Sequence, residues 1–128
     1  MARASELRFA DLPQLPDLAV ISANDPKAMD TYVDQCLQLG IGYFYDPSQQ
    51  IVRLESEILR KGIEGCLAFF GNDYEFGLAR QKTGIDLEAE PRSGQFRVMT
   101  RGEQGADLMA LDGRMHIAAV RLRAIADP

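Results

Sequence analysis

One stretch near the middle of the chain carries the strongest constraint on the fold. Its first half, from Cys66 to Phe70, is an apolar run of strand length that stops at Gly71. A polar cluster that can start a helix, Asn72 to Glu75, follows at once. Parallel strands pass to helices in this way in α/β domains, and ligands of open parallel sheets bind at such strand ends. The stretch therefore predicts an α/β fold with a candidate site beside Asn72.

The same strand-then-helix unit occurs twice before this stretch. Residues 18–22 and 41–46 are the two earlier strand-like runs. Between them, Asp25 can cap a helix that begins at Pro26, and Gly40 supplies its left-handed stop. Helices are also predicted over 56–63 and 73–83, so residues 18–84 have the order βαβαβα. The first helix should bury one apolar stripe at helical spacing, made of Met29, Tyr32, Val33, Cys36 and Leu37.

After residue 84 the helical spacing gives way to the alternation that is typical of strands. Residues 95–100 and 107–111 alternate, and Asp112-Gly113 is a hairpin turn signal. A last strand is predicted from Met115 to Leu122. Residues 85–128 are thus a hairpin-rich end, and residues 1–17 a polar lead-in. The expected core residues of this end are Leu108, Met109, Met115 and Ile117.

These elements predict one partial α/β domain over residues 1–128, with a mainly parallel sheet, flanking helices and a C-terminal β-hairpin region. No closing helix is predicted after the last strand, although a parallel sheet needs cover on both faces. Either a partner supplies that cover or the domain is incomplete. We expect a homo-oligomer that buries the last strands, because exposed apolar sheet surface and unpaired edges are normally covered.

Composition excludes several classes of function. The chain has 128 residues, of which 46% are hydrophobic and 26% charged, as in an ordinary globular domain. A net charge of -5 without a basic run argues against nucleic-acid binding. No apolar run reaches membrane-spanning length, and residues 1–7 lack the apolar core of a signal peptide. Cys36 and Cys66 are isolated thiols, which fits a reduced, cytoplasmic chain.

The pair Asn72 and Glu75 has two interpretations. In the commoner one it is a capping box, in which Asn72 caps the helix and Glu75 reaches back to the Asn72 N–H. In the functional one, the two side chains hold a hydrated Mg²⁺ or a water network near phosphates at the strand end.

The segment from Thr100 to Gly105 is similarly ambiguous. It is either a glycine-containing connection between two strands or an anion nest, in which glycine N–H groups and the Thr100 hydroxyl approach a phosphate. Asp46 follows a strand and precedes Pro47, which is most often turn chemistry. His116 has no catalytic partner implied by spacing and is interpreted as an ordinary strand residue.

In chain order these segments resemble the ribokinase-like superfamily, above all its adenosine-kinase and phosphofructokinase-B-type sugar and nucleoside kinases. The resemblance begins at residues 21–29, 40–42 and 46–50. Residues 72–75 match the N-x-x-E motif of that superfamily, and Lys82-Thr83-Gly84 its usual follower. Residues 100–105 match the T-x-G-x-x-G nucleotide loop, and residues 126–128 are similar to the opening of the T-G-x-G-D signature.

The resemblance implies ATP and Mg²⁺ as cofactors, with K⁺ as a further candidate. Asn72 and Glu75 would help to place Mg²⁺ and the triphosphate. Thr100, Gly102 and Gly105 would line the ATP phosphates, with Asp46 near them. Asp127 would lie beside the monovalent-cation and anion-hole loop, among the residues on the metal side of the site.

The departures from the family pattern limit the expected activity. Family members are more than twice this long, and their amino-terminal part supplies most of the acceptor site and the lid. The G-x-G-D segment, which carries the general base and the anion hole, is absent from these 128 residues. We therefore expect the nucleotide-side portion of a kinase for sugars or nucleosides, with no catalytic residue and no turnover alone. The alternative is a non-catalytic nucleotide-binding or anion-binding remnant, or an oligomer-forming one.

Overall fold

The computed structural model describes residues 17–89, 91 and 94–118. The predicted lead-in, apart from Asp17, and the predicted end of the last strand lie outside the described residues. The strands are β1 (Leu18–Ser22), β2 (Gly42–Asp46), β3 (Ala68–Asn72), β4 (Phe96–Thr100), β5 (Ala106–Ala110) and β6 (Gly113–Ile117). The helices are α1 (Pro26–Leu39), α2 (Ser56–Gly65) and α3 (Asp73–Thr83), with short 3₁₀ turns at Ser48–Val52 and Gly102–Gln104.

All six strands form one sheet in chain order. The pairs from β1 to β4 are parallel, and β4, β5 and β6 pair antiparallel. Because every parallel crossover moves in the same direction and crossovers are right-handed, α1, α2 and α3 lie on one face of the sheet. The predicted α/β architecture, mainly parallel with a C-terminal hairpin region, is confirmed.

Local signals in the sequence explain the helix ends. The Asp25 carboxylate accepts a hydrogen bond from the Ala28 N–H at 3.2 Å, and Pro26 occupies the first turn of α1. Gly40 ends the helix at a φ of 70°, which an L side chain adopts only at a cost. The predicted buried stripe is correct at Met29, Val33 and Cys36, and Tyr32 is half-buried.

The prediction for Leu37 was wrong, because this side chain is exposed. It lies at the margin of the stripe and covers Gly65, where a built Cβ would come within 2.9 Å of Leu37 Cδ2. A residue at the edge of a helix stripe can meet the spacing rule and still point to solvent.

The core lies between the helices and one face of the sheet, and aromatic side chains fill most of it. Tyr43, Tyr45 and Phe69 are fully buried there. The Tyr43 hydroxyl donates a hydrogen bond to the Gly62 carbonyl oxygen at 2.7 Å, so its polar end is satisfied. Burial raises the pKa of both tyrosine hydroxyls, which therefore stay neutral.

Both cysteines belong to this core as free thiols. Burial raises the pKa of Cys36 to about 11 and that of Cys66 to about 12. A thiol with such a pKa carries almost no thiolate near neutral pH, so both behave as small apolar residues. No helix in the described part of the chain is long and apolar enough to cross a bilayer.

The Lys82 side chain joins α3 to the segment that follows β2. Its ammonium group donates to the carbonyl oxygens of Ile51 at 2.7 Å, of Val52 at 3.2 Å and of Leu54. The Ile51 and Val52 carbonyls belong to the end of the 3₁₀ turn Ser48–Val52, and Leu54 follows it by two residues. Lys82 therefore fixes the loop after β2 against α3 and gives its motif position a structural role.

The predicted core at the C-terminal end needs a correction. Met109 is buried and Leu108 half-buried, but Met115 and Ile117 are exposed. The two exposed residues belong to β6, an outer strand of the sheet that no described helix covers. Alternation alone identifies the two faces of a strand and does not show whether either face is covered.

The hairpin turn is also displaced by one residue. Its two connecting residues are Leu111 and Asp112, because Ala110 pairs with Gly113. Asp112 has a negative φ and the positive value, 139°, falls on Gly113. A turn centred on Asp112-Gly113 needs positive φ at Asp112 as well, and Asp112 does not have it.

We expect Gly62→Ala to destabilise the fold by roughly 1–3 kcal/mol, the cost of overpacking a core. A Cβ at Gly62 would lie 2.5 Å from Tyr45 Cζ, whereas a Cβ at Gly77, also in a helix, would meet nothing within 4 Å. Gly77→Ala is thus the matched control and should stabilise by about 0.5–1 kcal/mol. Urea unfolding measures both, and equal effects of the two substitutions would contradict this packing.

Candidate functional site

The carboxyl ends of the four parallel strands form one polar edge of the sheet. β1 ends at Ser22 and β2 at Asp46, and these two residues are paired in register. β3 ends at Asn72 and β4 at Thr100, which are likewise paired. The two motifs that the sequence singled out therefore lie side by side, at the kind of strand end where open α/β sheets bind ligands.

Asn72 and Glu75 form the predicted capping box. Asn72 Oδ1 accepts a hydrogen bond from the Glu75 N–H at 2.7 Å, and Glu75 Oε1 accepts one from the Asn72 N–H at 2.9 Å. This capping box starts α3 and holds both side chains at the edge. It uses one carboxylate oxygen of Glu75, so the other oxygen can still take part in metal or water binding.

The loop from Arg101 to Gly105 is a tight turn in which few N–H groups are available to bind a ligand. The N–H groups of Arg101, Gln104 and Gly105 donate within the loop. The N–H groups of Gly102 and Glu103 begin a 3₁₀ turn, which leaves such groups without intrahelical partners. An anion could therefore meet two loop amides, a narrower nest than the sequence alone implies.

Two glycines make this loop conformation possible. Gly102 has a φ of 58° and Gly105 a φ of 93° with ψ of -136°. The Gly105 conformation is essentially closed to residues with a side chain. The Thr100 hydroxyl lies 3.4 Å from the Gly71 carbonyl oxygen, so it holds its present contact only weakly.

A cleft of about 320 Å³ opens between the two motifs. Small-molecule sites begin near this volume. Three predicted residues line it together, Asn72, Thr100 and Gly102. Glu75 and Gly105 act behind it, through the capping box and the loop turn. The other lining residues, Asp73, Arg101 and Gln104, were not predicted as site residues.

Asp46 lies at the same edge, at the end of the neighbouring strand β2. Its Oδ1 accepts a hydrogen bond from the Ser48 hydroxyl at 2.9 Å. Ser48 has a φ of 50°, the one positive φ of a non-glycine residue in the described chain. Such strain is often found beside functional sites. Asp127, the remaining predicted site residue, lies outside the described residues.

Charged side chains behind the cleft form a cluster around Asp107. Arg101 Nε donates to Asp107 Oδ2 at 2.8 Å, and His116 Nδ1 lies 2.6 Å from Asp107 Oδ1. Arg114 approaches the same carboxylate at 3.7 Å. Arg101 thus lines the cleft, and its guanidinium is ion-paired with Asp107.

His116 is an exposed strand residue, as predicted, and it has an acidic partner that its spacing in the sequence did not imply. His116 and Asp107 are paired across the β5–β6 hairpin. The turn as the sequence places it, centred on Asp112-Gly113, pairs Asp107 with Ala118 instead. The displaced turn therefore hid this contact, and the correct hairpin register is the signal that could have found it.

The donors at this edge fit Mg²⁺ bound largely through water. In the ranges that the structure describes, no three His, Cys, Asp or Glu side chains come together as a metal site. Mg²⁺ does not need such a cage, because it keeps several waters and binds through one or two carboxylates and substrate phosphates. Glu75 and Asp73 offer these carboxylates beside the cleft.

Solved kinase structures resemble this chain over most of its length. A Burkholderia thailandensis nucleoside kinase in complex with ADP-inosine is 30% identical, with a TM-score of 0.80. The match covers 90% of this chain and 36% of the kinase. A Methanocaldococcus jannaschii nucleoside kinase, an archaeal member of the ribokinase family, has a TM-score of 0.74 at 20% identity, covering 92% and 38%.

A sugar kinase has the same fold at a greater distance. A Vibrio cholerae fructokinase, bound to fructose, ADP and potassium, has a TM-score of 0.51 at 13% identity, covering 90% of this chain and 43% of the enzyme. No protein-family sequence model matches the chain. The chain thus spans less than half the length of each of these three kinases.

We expect the Asp107 carboxyl to titrate below its ordinary pKa of 3.8, because His116 and Arg101 donate hydrogen bonds to it. Because the pKa of this carboxyl is lower in the folded state than in the unfolded state, its ionised form stabilises the fold at pH values above the unfolded-state pKa. This stabilisation is lost as the pH falls through the folded-state pKa. NMR titration of the Asp107 carboxyl carbon measures the folded-state pKa. His116→Leu should move the midpoint up towards 3.8, and Arg114→Gln should move it less. A wild-type midpoint at or above 3.8 would contradict the cluster.

Proposed function

Because this chain has the fold of the ribokinase-like superfamily, we propose that it is the nucleotide-side portion of an ATP-dependent kinase for nucleosides or sugars. The observation that carries the proposal is the cleft at the ends of β3 and β4. Asn72, Thr100 and Gly102 line it at the carboxyl edge of a parallel sheet. This is where open α/β sheets bind their ligands.

In the proposed complex the phosphates of ATP lie in this cleft. The N–H groups of Gly102 and Glu103 and the Thr100 hydroxyl donate to phosphate oxygens, and the Arg101 guanidinium supplies positive charge. Gly105 lets the loop turn close to the phosphates. Asp46 lies one strand away, within the same polar edge.

Asn72 and Glu75 would hold the waters of a bound Mg²⁺ at the start of α3. When bound, Mg²⁺ neutralises charge on the β- and γ-phosphates. The capping box has a direct benefit for this role, because it fixes the Glu75 carboxylate before any ligand arrives. We also propose, from the family resemblance alone, that Asp127 lies beside a monovalent cation such as K⁺.

A nucleoside is the better supported acceptor. The nucleoside kinase in complex with ADP-inosine is 30% identical to this chain, whereas the fructokinase is 13% identical with a much lower TM-score. The two free, buried cysteines fit a reducing compartment, and we propose a cytoplasmic location on that basis.

We further propose that the 128 residues bind nucleotide without transferring phosphate. Phosphoryl transfer depends on positioning the acceptor and on groups that stabilise the transferring charge. The chain spans 36% of the length of the Burkholderia kinase that it matches, so most of such an enzyme would have to come from other polypeptide.

One observation favours a second candidate, a remnant in which the edge is purely structural. Asn72 and Glu75 complete a capping box, and this use alone explains their spacing. Such a remnant would form oligomers or bind anions weakly, without a role for the Glu75 charge.

Calorimetry with ATP separates these candidates, using Glu75→Gln and the control Glu57→Gln. Glutamine can still complete a capping box, so Glu75→Gln removes the charge and keeps the cap. We expect about a tenfold loss of affinity with Mg²⁺ present, or ~1.4 kcal/mol, and no loss with EDTA. Glu57 is exposed in the first turn of α2, and its substitution should change neither value.

The same samples, supplied with inosine, adenosine or fructose, should form no ADP above background. ATP binding that Glu75→Gln leaves unchanged in Mg²⁺ would contradict the metal-side role, and absent binding would favour the structural remnant. Robust ADP formation by the wild-type chain would contradict the claim that it does not transfer phosphate.

A further inference from the structure

The sheet face opposite the helices, which we call the open face, is apolar from β1 to β6. Strand register assigns it three positions from each of the six strands. Among the described residues no helix lies on it. Its large apolar side chains are Leu18, Val20, Phe44, Phe70, Phe96, Val98, Leu108, Met115 and Ile117.

Several of these side chains are much more exposed to solvent than those on a buried sheet face. Val20 is 65% exposed and Met115 62% exposed, at opposite ends of the face. In the middle, the Phe44 ring lies 5.5 Å from that of Phe70 and 5.7 Å from that of Phe96, between centroids. The three rings shield one another and leave a continuous apolar surface, which marks an interaction site.

The face also lacks charge. Asp46, at the polar edge, is the one charged residue among its strand positions. The charged strand residues of the described chain, such as Arg97, Asp107 and Arg114, lie on the helix face. An uncharged surface can meet its own copy without opposing like charges, as a two-fold interface requires.

We propose that the open face binds the open face of a second copy of this chain, forming a two-fold dimer. The open face has three residues from each of six strands. This number is close to the roughly 20–30 residues that each partner contributes to a stable interface. Two such sheets would pack about 10 Å apart with their apolar side chains interleaved. Asn72 and Thr100 are the last open-face positions of β3 and β4, so the cleft adjoins the proposed dimer surface at the sheet edge.

Analytical ultracentrifugation of the full 128-residue chain tests the proposal, with Val20→Glu as the variant and Val52→Glu as the control. The two valines are almost equally exposed, at 65% and 64%, but Val52 lies in the 3₁₀ turn and off the open face. We expect a dimer at micromolar concentration. Val20→Glu should weaken it at least tenfold, because each dimer would bury two carboxylates.

Met115→Glu, at the other end of the face, should weaken the dimer in the same way. This second variant shows that the effect of Val20→Glu does not come only from a disturbed β1. Circular dichroism checks that each variant is folded. A wild-type monomer at all concentrations would overturn the proposal. Equal dimerisation of Val20→Glu and Val52→Glu would also overturn it.

Discussion

The parallel pairing of β3 with β4 is the constraint on which the candidate site depends. It places Asn72 directly beside Thr100, although 28 residues separate them in the sequence. The capping box then starts α3 at the end of β3, and the glycine loop turns back at the end of β4. Without this register the two motifs would be ordinary caps and turns at unrelated places. With it, they form the two walls of one cleft.

The core that holds this register is built on one side of the sheet. Tyr43 and Tyr45 fill the space under α2, which approaches closely because Gly62 has no side chain. Lys82 joins the last turn of α3 to the segment after β2. This arrangement places the helices on one sheet face and leaves the opposite face apolar and without a described helix. One packing solution thus accounts both for the site and for the surface that we assign to a second copy.

Most of the architecture could be predicted because its signals are local. Apolar runs, the Asp25 cap and the stops at Gly40 and Gly84 gave each helix and parallel strand within one or two residues. The errors arose where distant residues decide the outcome. The exposure of Met115 depends on what covers β6, and the contact of His116 with Asp107 depends on a register that a one-residue turn shift moves. The sequence motifs likewise placed Asn72 and Thr100, but only tertiary structure reveals Arg101 in the same cleft.

The central claim is that this edge binds the phosphates of a magnesium-bound nucleotide, and amide chemical-shift mapping with ATP and Mg²⁺ tests it most directly. We expect the largest ¹H–¹⁵N shifts at Gly102, Glu103 and Asn72, with little change at Gly42 on the opposite edge. Shifts confined to the opposite edge, or none at millimolar ATP, would contradict the claim.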